Sequence, residues 1–420
     1  MIPNIFRGSL SRPKSYCLNR GIKLKSRDFH RSAFVTNKIE DNSVQNNKQT
    51  IKNLLESSAA FVETSPKQSL DEWATLPYVE GTILSKKDRN DMDIQRPKID
   101  PRDTSIILFP GQGAQFVGMA KSLENVPVAK DLFDYASEIL NYDLLKLCNK
   151  GPAKELDDIR YSHVAIMTAS LANLELLREE RPDAVLNCVA TAGFSLGEIT
   201  ALVFAGALQF GDALHLVQVR AEAIHAAAEI YKGGMASIYF RPDSRVIEAC
   251  QKAKEWCLKN NVERAECLIS NFMFPRYKVL SGSEEALQYL EENFKKFRIG
   301  SIKRIKNAPA CHSILMEPAV EPVRSALEHI HVTDPLIRVY SNVSGKMYMS
   351  AEHILKLLPE QLVKPVKWEQ TMHMLYARRH KEYFPRTIVC GPGVALRSIL
   401  RSINSKAWQQ SIHIGDRKRK

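Results

Sequence analysis

The 420-residue sequence lacks any apolar run approaching the roughly 20 residues of a transmembrane helix, so no membrane span is expected. It has no C-x-x-C pair, and none of its eight cysteines (17, 148, 188, 250, 257, 267, 311, 390) stands at a zinc-type spacing from histidine. No metal site is expected, and the cysteines read as reduced, mostly buried thiols. A dispersed basic excess is also missing. Of the formal charge of +12, residues 1–38 supply nine Lys and Arg against Asp28 alone, and Arg417-Lys418-Arg419-Lys420 closes the chain. The body is therefore near neutral, which excludes a general nucleic-acid binder. Before Asp28 the leader has no acid, and it lacks the unbroken apolar core of a secretory signal. It is basic and hydroxyl-bearing, with Ile2, Ile5, Phe6 and Leu10 spaced among the arginines. That pattern reads as a mitochondrial transit peptide over 1–38, and hence a matrix location.

Residues 39–102 are rich in Asn, Lys, Gln, Asp and Pro and read as a poorly ordered linker. From 103 the pattern changes. A continuous apolar strand, Thr104 to Phe109, runs into Pro110-Gly111-Gln112-Gly113, and strand then alternates with helix through about Ala228. Between 233 and 306 the order becomes β-α-β-β-α-β, the ferredoxin-like unit. Strand and helix resume over 307–405, and 406–420 reads as a basic tail. The expected fold class is α/β: a parallel-sheet domain in two halves, 103–232 and 307–405, with a ferredoxin-like small domain inserted at 233–306. An active-site cleft is expected where the two meet.

The chemistry centres on Gly193-Phe194-Ser195-Leu196-Gly197, which follows the β-prone run Cys188-Val189-Ala190 and opens a helical pattern. In a G-x-S-x-G elbow the glycines relieve crowding at a sharp strand-to-helix turn. The serine hydroxyl stands clear of the backbone, and the next N–H, here that of Leu196, points the same way. The pattern arises by chance in about one chain of this length in seven, so the strand-turn-helix context carries the weight. The competing reading is a capping box, Ser195 as N-cap with Glu198 three residues on. The glycines around Gln112 suit a second oxyanion donor. A phosphate loop there would need a third glycine and a Lys-Ser/Thr pair, which are missing.

Taken in order, F-P-G-Q-G-A-Q (109–115), G-F-S-L-G-E (193–198), V-x-x-R-A-E-A (217–223), G-G-M-A-S-I (233–238), C-H-S-x-L-M-E-P-A (311–319), P-V-K-W (365–368) and G-P-G (391–393) resemble the malonyl-CoA:acyl carrier protein transacylases, above all their mitochondrial members. The resemblance covers about 103–405. It implies a hydrolase-like α/β domain with the ferredoxin-like insert, and a ping-pong transfer of malonyl from coenzyme A through a serine ester to the phosphopantetheine thiol of acyl carrier protein. It implies no cofactor beyond the group carried by that partner. Matching positions give Ser195 as nucleophile, His312 as general base, the N–H groups of Gln112 and Leu196 as oxyanion hole, and Arg220 as clamp on the malonyl carboxylate. Asn271 and His163 fall in the substrate pocket, and Lys367 stands where a Gln orients the histidine, a task its backbone carbonyl could perform. His163-Val164 replaces Gln-Pro, Phe194 replaces His, and Phe274-Pro275-Arg276-Tyr277 replaces Ser-Pro-Gly-Gln. With no Asp as third member, a Ser-His dyad is expected, its histidine donating Nδ1–H to a carbonyl.

These residue types suit acyl transfer. A serine at its ordinary pKa needs an adjacent base, worth about 10² to 10⁴ in rate, and each oxyanion donor is worth about 2.7 to 4 kcal/mol. Arg220 could instead pair with Glu222 on an exposed helix face. Cys311 as nucleophile is set aside, because adjacency to His312 points the two side chains apart. Lys303, Arg304 and Lys306, with Lys295, Lys296 and Arg298 as weaker candidates, are expected to dock the acidic carrier. A monomer is expected. The alternatives are a serine hydrolase or thioesterase acting on acyl-CoA, and a catalytically silent carrier-binding scaffold.

Overall fold

The apolar run after Asp103 forms strand β1 (Ser105–Phe109), buried along its whole length. The computed structural model describes residues 99–378 and 382–415. The transit-peptide reading, the linker before 99 and residues 416–420 lie outside the described residues. The further strands are β2 (Cys188–Gly193), β3 (Gly233–Phe240), β4 (Cys267–Phe274), β5 (Tyr277–Ser283), β6 (Ile299–Ile305), β7 (Arg338–Tyr340), β8 (Arg386–Cys390) and β9 (Ser411–Ile414). The principal helices are α1 (Pro127–Leu140), α2 (Leu144–Lys150), α3 (Ile159–Glu180), α4 (Leu196–Phe204), α5 (Phe210–Ile230), α6 (Val246–Lys259), α7 (Glu284–Asn293), α8 (Val320–Glu328), α9 (Ala351–Glu360), α10 (Trp368–Leu375) and α11 (Ala395–Ile403).

β7-β2-β1-β8-β9 make a parallel sheet with β1 at its centre. A central strand covered on both faces cannot alternate polar with apolar, which is why 106–109 is unbroken Ile-Ile-Leu-Phe. Ile106 and Leu108 share one core cluster with Ala190, Ala192, Val389, Trp368 and Leu396. Each large apolar side chain so buried contributes at most about 1.5 to 3 kcal/mol.

The insert forms an antiparallel sheet, β4-β5-β3-β6, which is the ferredoxin-like strand order. Ala236, Ile238 and Phe240 of β3 pack against Ala249 and Cys257 of α6 and Leu287 and Leu290 of α7. Backbone bonds stitch this sheet to the second half of the large domain: Phe272 N–H to Val366 O at 2.9 Å and Val366 N–H to Ser270 O at 2.8 Å.

Helices α1 and α2 are divided at Asn141, which has a left-handed φ of 59°. One expectation changes. Residues beyond 405 are not a basic tail as far as they are described. Asn404 caps a short helix, Ser405–Gln409, and Ser411–Ile414 then pairs parallel with β8. Four residues with only two aliphatics are too short to announce a strand, but they close a sheet edge whose N–H and C=O groups would otherwise be unpaired.

Candidate active site

β2 ends at Gly193, and Phe194 N–H still bonds Phe109 O at 3.0 Å before the chain turns. Ser195 follows with φ 52° and ψ −110°, a backbone conformation that costs a non-glycine residue about 1 to 3 kcal/mol. The flanking glycines are required by close approach. A Cβ on Gly193 would fall on the carbonyl of Gly197, and one on Gly197 would meet Phe109 O and Pro110 O. The capping-box reading does not hold. Ser195 makes no side-chain cap to α4, and Glu198 turns inward and is fully buried.

Ser195 Oγ lies 2.8 Å from His312 Nε2, and His312 Nδ1 lies 2.7 Å from the carbonyl oxygen of Gln361. A carbonyl can only accept, so Nδ1 carries the hydrogen and Nε2 is left bare to take the serine proton. Gln361 follows the last residue of α9, where helix carbonyls have no partner within the helix, so the acceptor is a by-product of the helix ending there. His312 is buried, and desolvation, with the Arg220 charge second, pushes its pKa down to about 4. Neutral imidazole is thus the form present near neutrality.

Arg220, on α5, is 3% exposed. Its Nη2 donates to Gln361 Oε1 at 3.0 Å and to Ser195 Oγ at 3.4 Å, and its Nη1 lies 3.3 Å from His163 Nδ1. Guanidinium only donates, so His163 accepts at Nδ1 and gives its Nε2–H to Gln112 Oε1, 3.3 Å away. Burial, and then the Arg220 charge, hold His163 well below the usual histidine range. The ion pair with Glu222 weighed from sequence is absent among the described residues, and no carboxylate bonds Arg220 directly.

The structure therefore brings together Ser195, His312, Arg220, His163 and Gln112. Neither the Gln112 nor the Leu196 N–H is used by a turn or loop bond among the described residues, so both remain available to an oxyanion. Asn271 makes no hydrogen bond to Ser195 or His312 among the described residues. It is buried on β4, with its Oδ1 accepting from Ser270 Oγ at 2.7 Å. Lys367 does not orient the histidine, either by side chain or by carbonyl. Its N–H donates to Asn342 O at 2.8 Å and its carbonyl accepts from Thr371. Lys303 and Lys306 are exposed, but Arg304 is paired with Glu284 of α7, with Glu291 4.0 Å away, and is not a free cation. Burial pushes the Cys311 thiol up to about 11, so it stays protonated and non-nucleophilic.

Sequence reasoning missed the frame that holds this site. Asn342 Oδ1 accepts Ser195 N–H at 2.6 Å while its Nδ2 donates to Gly193 O at 2.8 Å, bracing both sides of the elbow. Glu198 accepts from Tyr348 OH, from Gln361 Nε2 and from Asn342 N–H. Burial outweighs these three donors and lifts its pKa to about 7. No local pattern marks Asn342, Tyr348 or Gln361, and only the inward turn of Glu198 links them.

No group of three or more potential metal ligands occurs among the described residues, and no described helix is long and apolar enough to cross a membrane. A strained elbow serine, a neutral histidine on its oxygen and a buried guanidinium beside both, on a parallel α/β sheet with a ferredoxin-like insert, define a serine acyltransferase; residues 106–384 match the acyl transferase domain family. Within that class, the chain belongs to the malonyl-CoA–acyl carrier protein transacylases. It is 52% identical over 319 residues to a probable mitochondrial malonyl-CoA-acyl carrier protein transacylase of Drosophila melanogaster, covering 76% of this chain and 84% of that protein. To the human mitochondrial enzyme of that name it is 45% identical, covering 74% and 79%. The crystal structure of the Xanthomonas oryzae transacylase superposes with a TM-score of 0.67 at 28% identity, covering 74% of this chain and 94% of that one.

Proposed function

We propose that this protein moves the malonyl group of malonyl-CoA onto the phosphopantetheine thiol of acyl carrier protein through a malonyl ester on Ser195, feeding fatty acid synthesis in the mitochondrial matrix. The observation that carries the reading is one oxygen with two partners: Ser195 Oγ lies 2.8 Å from a bare imidazole nitrogen and 3.4 Å from a buried guanidinium. The imidazole takes the hydroxyl proton as Oγ attacks the thioester carbonyl. The Gln112 and Leu196 N–H groups receive the oxyanion, and His312 returns the proton to the departing coenzyme A thiolate. The carrier thiol then repeats these steps in reverse order. Arg220 grips the free carboxylate with charge-assisted bonds, each worth about 1.5 to 3 kcal/mol, so acyl groups without that carboxylate bind less well. His163 holds the guanidinium in place. Lys303 and Lys306 serve as the basic docking surface, and the enzyme acts as a monomer without a bound cofactor.

The test is intact-mass spectrometry of the protein after mixing with malonyl-CoA. The expected result is one malonyl adduct on the native chain, none on Ser195→Ala, and loss of the adduct when holo acyl carrier protein is added. Release of free malonate without the carrier would favour a hydrolase, and failure of Ser195 to take up malonyl would favour a silent scaffold.

A further inference from the structure

The central cation has no directly bonded counter-ion among the described residues. Arg220 is buried, and its bonded partners are an amide oxygen, an imidazole nitrogen and the nucleophile itself. Glu198, the nearby carboxylate, is reached only through Gln361, whose Oε1 accepts from Arg220 while its Nε2 donates to Glu198. When Oγ attacks, its proton moves to His312 Nε2 and creates a second buried cation beside the first. Like charges in a low-dielectric site repel. The same guanidinium also occupies a lone pair of the attacking oxygen from 3.4 Å.

We infer that Arg220 restrains Ser195 while the carboxylate subsite is empty, and that a carboxylate seated on Arg220 switches the nucleophile on whether or not it is part of the acyl group. This rests on the malonyl-transfer reading and extends it, because the malonyl carboxylate then acts as activator as well as handle. A bound carboxylate draws the guanidinium off Oγ and counters its charge directly, so the imidazolium forms against less positive charge. His312 sits below the ordinary histidine range partly because of the Arg220 charge, which agrees with this direction. The consequence is a further activity: with a small free carboxylate in the subsite, the site transfers acetyl groups. The step balances with the activator unchanged. The Ser195 Oγ–acetyl carbon bond forms, the carbon–sulfur bond to coenzyme A breaks, and the proton passes from Oγ through His312 to the leaving thiolate.

The experiment measures acetyl transfer from saturating acetyl-CoA to holo acyl carrier protein by the native enzyme. Sodium formate is titrated against sodium chloride at equal ionic strength, and malonyl transfer is run in parallel. The expected result is a saturable rise in the acetyl-transfer kcat of roughly 10- to 100-fold, as removal of one close like charge predicts. Formate should at the same time inhibit malonyl-CoA competitively, and Arg220→Ala should show no formate response with acetyl-CoA. Normal malonyl transfer with acetyl turnover indifferent to formate overturns the restraint and leaves the proposed function standing. Absence of malonyl transfer overturns the proposed function itself.

Discussion

Replacing Asn342 by alanine separates the bracing of the nucleophile from its chemistry, since Asn342 lies outside the proton path and makes two of the bonds that hold the elbow. Its Oδ1 accepts Ser195 N–H at 2.6 Å and its Nδ2 donates to Gly193 O at 2.8 Å. Alanine leaves both backbone groups buried and unmade, at about 1 to 3 kcal/mol each. It also removes the restraint on a residue held at φ 52°, where about 1 to 3 kcal/mol of conformational strain is stored. The elbow is therefore expected to relax, and a shift of Oγ by about 1 Å costs on the order of 10² in rate. The assay pairs thermal unfolding, where each kcal/mol lowers the midpoint by about 2 to 4 °C, with the single-turnover rate of Ser195 malonylation followed by mass spectrometry. Both should fall. Asn342→Asp keeps the acceptor for Ser195 N–H but sets an oxygen against Gly193 O, so its malonylation rate should lie between those of Asn342→Ala and the native protein. A variant that melts early yet malonylates Ser195 at the native rate would refute the bracing role.

Four further outcomes can be checked. With the His312 pKa lowered to about 4, the histidine stays a neutral base well below pH 6, so the acid limb of kcat/KM for malonylation should centre near 4; a limb near the ordinary 6.5 would contradict this burial. The same depression means that the unfolded chain binds the proton first, so the stability contributed by neutral His312 is present above about pH 6.5 and lost as pH falls toward 4, and thermal midpoints should record that loss. Charge reversal at Lys303 and Lys306 together should raise the KM for acyl carrier protein several-fold while sparing malonylation of Ser195, whereas equal losses in both half-reactions would remove these residues from docking. A chain ending at Gln410 loses the four register pairs that join β9 to β8 and should lose about 2 to 4 kcal/mol of stability, read by denaturant unfolding.

What was legible in the sequence follows the range of the interactions. The strand-turn-helix around Ser195 is local: a continuous apolar run, two glycines whose Cβ atoms would collide, and a helical period, all within about a dozen residues. The insert was legible for the same reason, because each element of β-α-β-β-α-β carries its own period. β9 was not, since four residues pair only because β8 presents an edge. Lys367 was misread because motif order along the chain was taken for position in space. The carbonyl that reaches His312 belongs to Gln361, the residue after helix α9, and what matters there is where the helix stops. A backbone acceptor leaves no trace in residue identity.

That distinction bears on how the site is assembled. Ser195, Glu198 and Arg220 come from the half of the large domain before the insert, and His312, Asn342, Tyr348 and Gln361 from the half after it. Most hydrogen bonds that fix the nucleophile, the base or the clamp to this frame cross between the halves, with partners more than 100 residues apart in sequence. The exceptions stay within one half: His312 to Gln361 in the second, and Arg220 to His163 and to Ser195 in the first. Neither half alone can hold Ser195 at its positive φ or keep a guanidinium dry, so the reactive geometry forms only after the halves have docked. The insert favours that docking, because β4 bonds to Val366, Lys367 N–H bonds to the carbonyl of Asn342, and the side chain of Asn342 grips the elbow. The small domain is in this way tied to the nucleophile through two backbone contacts and one amide. Mutations in the β4–Val366 seam should therefore lower malonylation of Ser195 even though no seam residue touches the substrate.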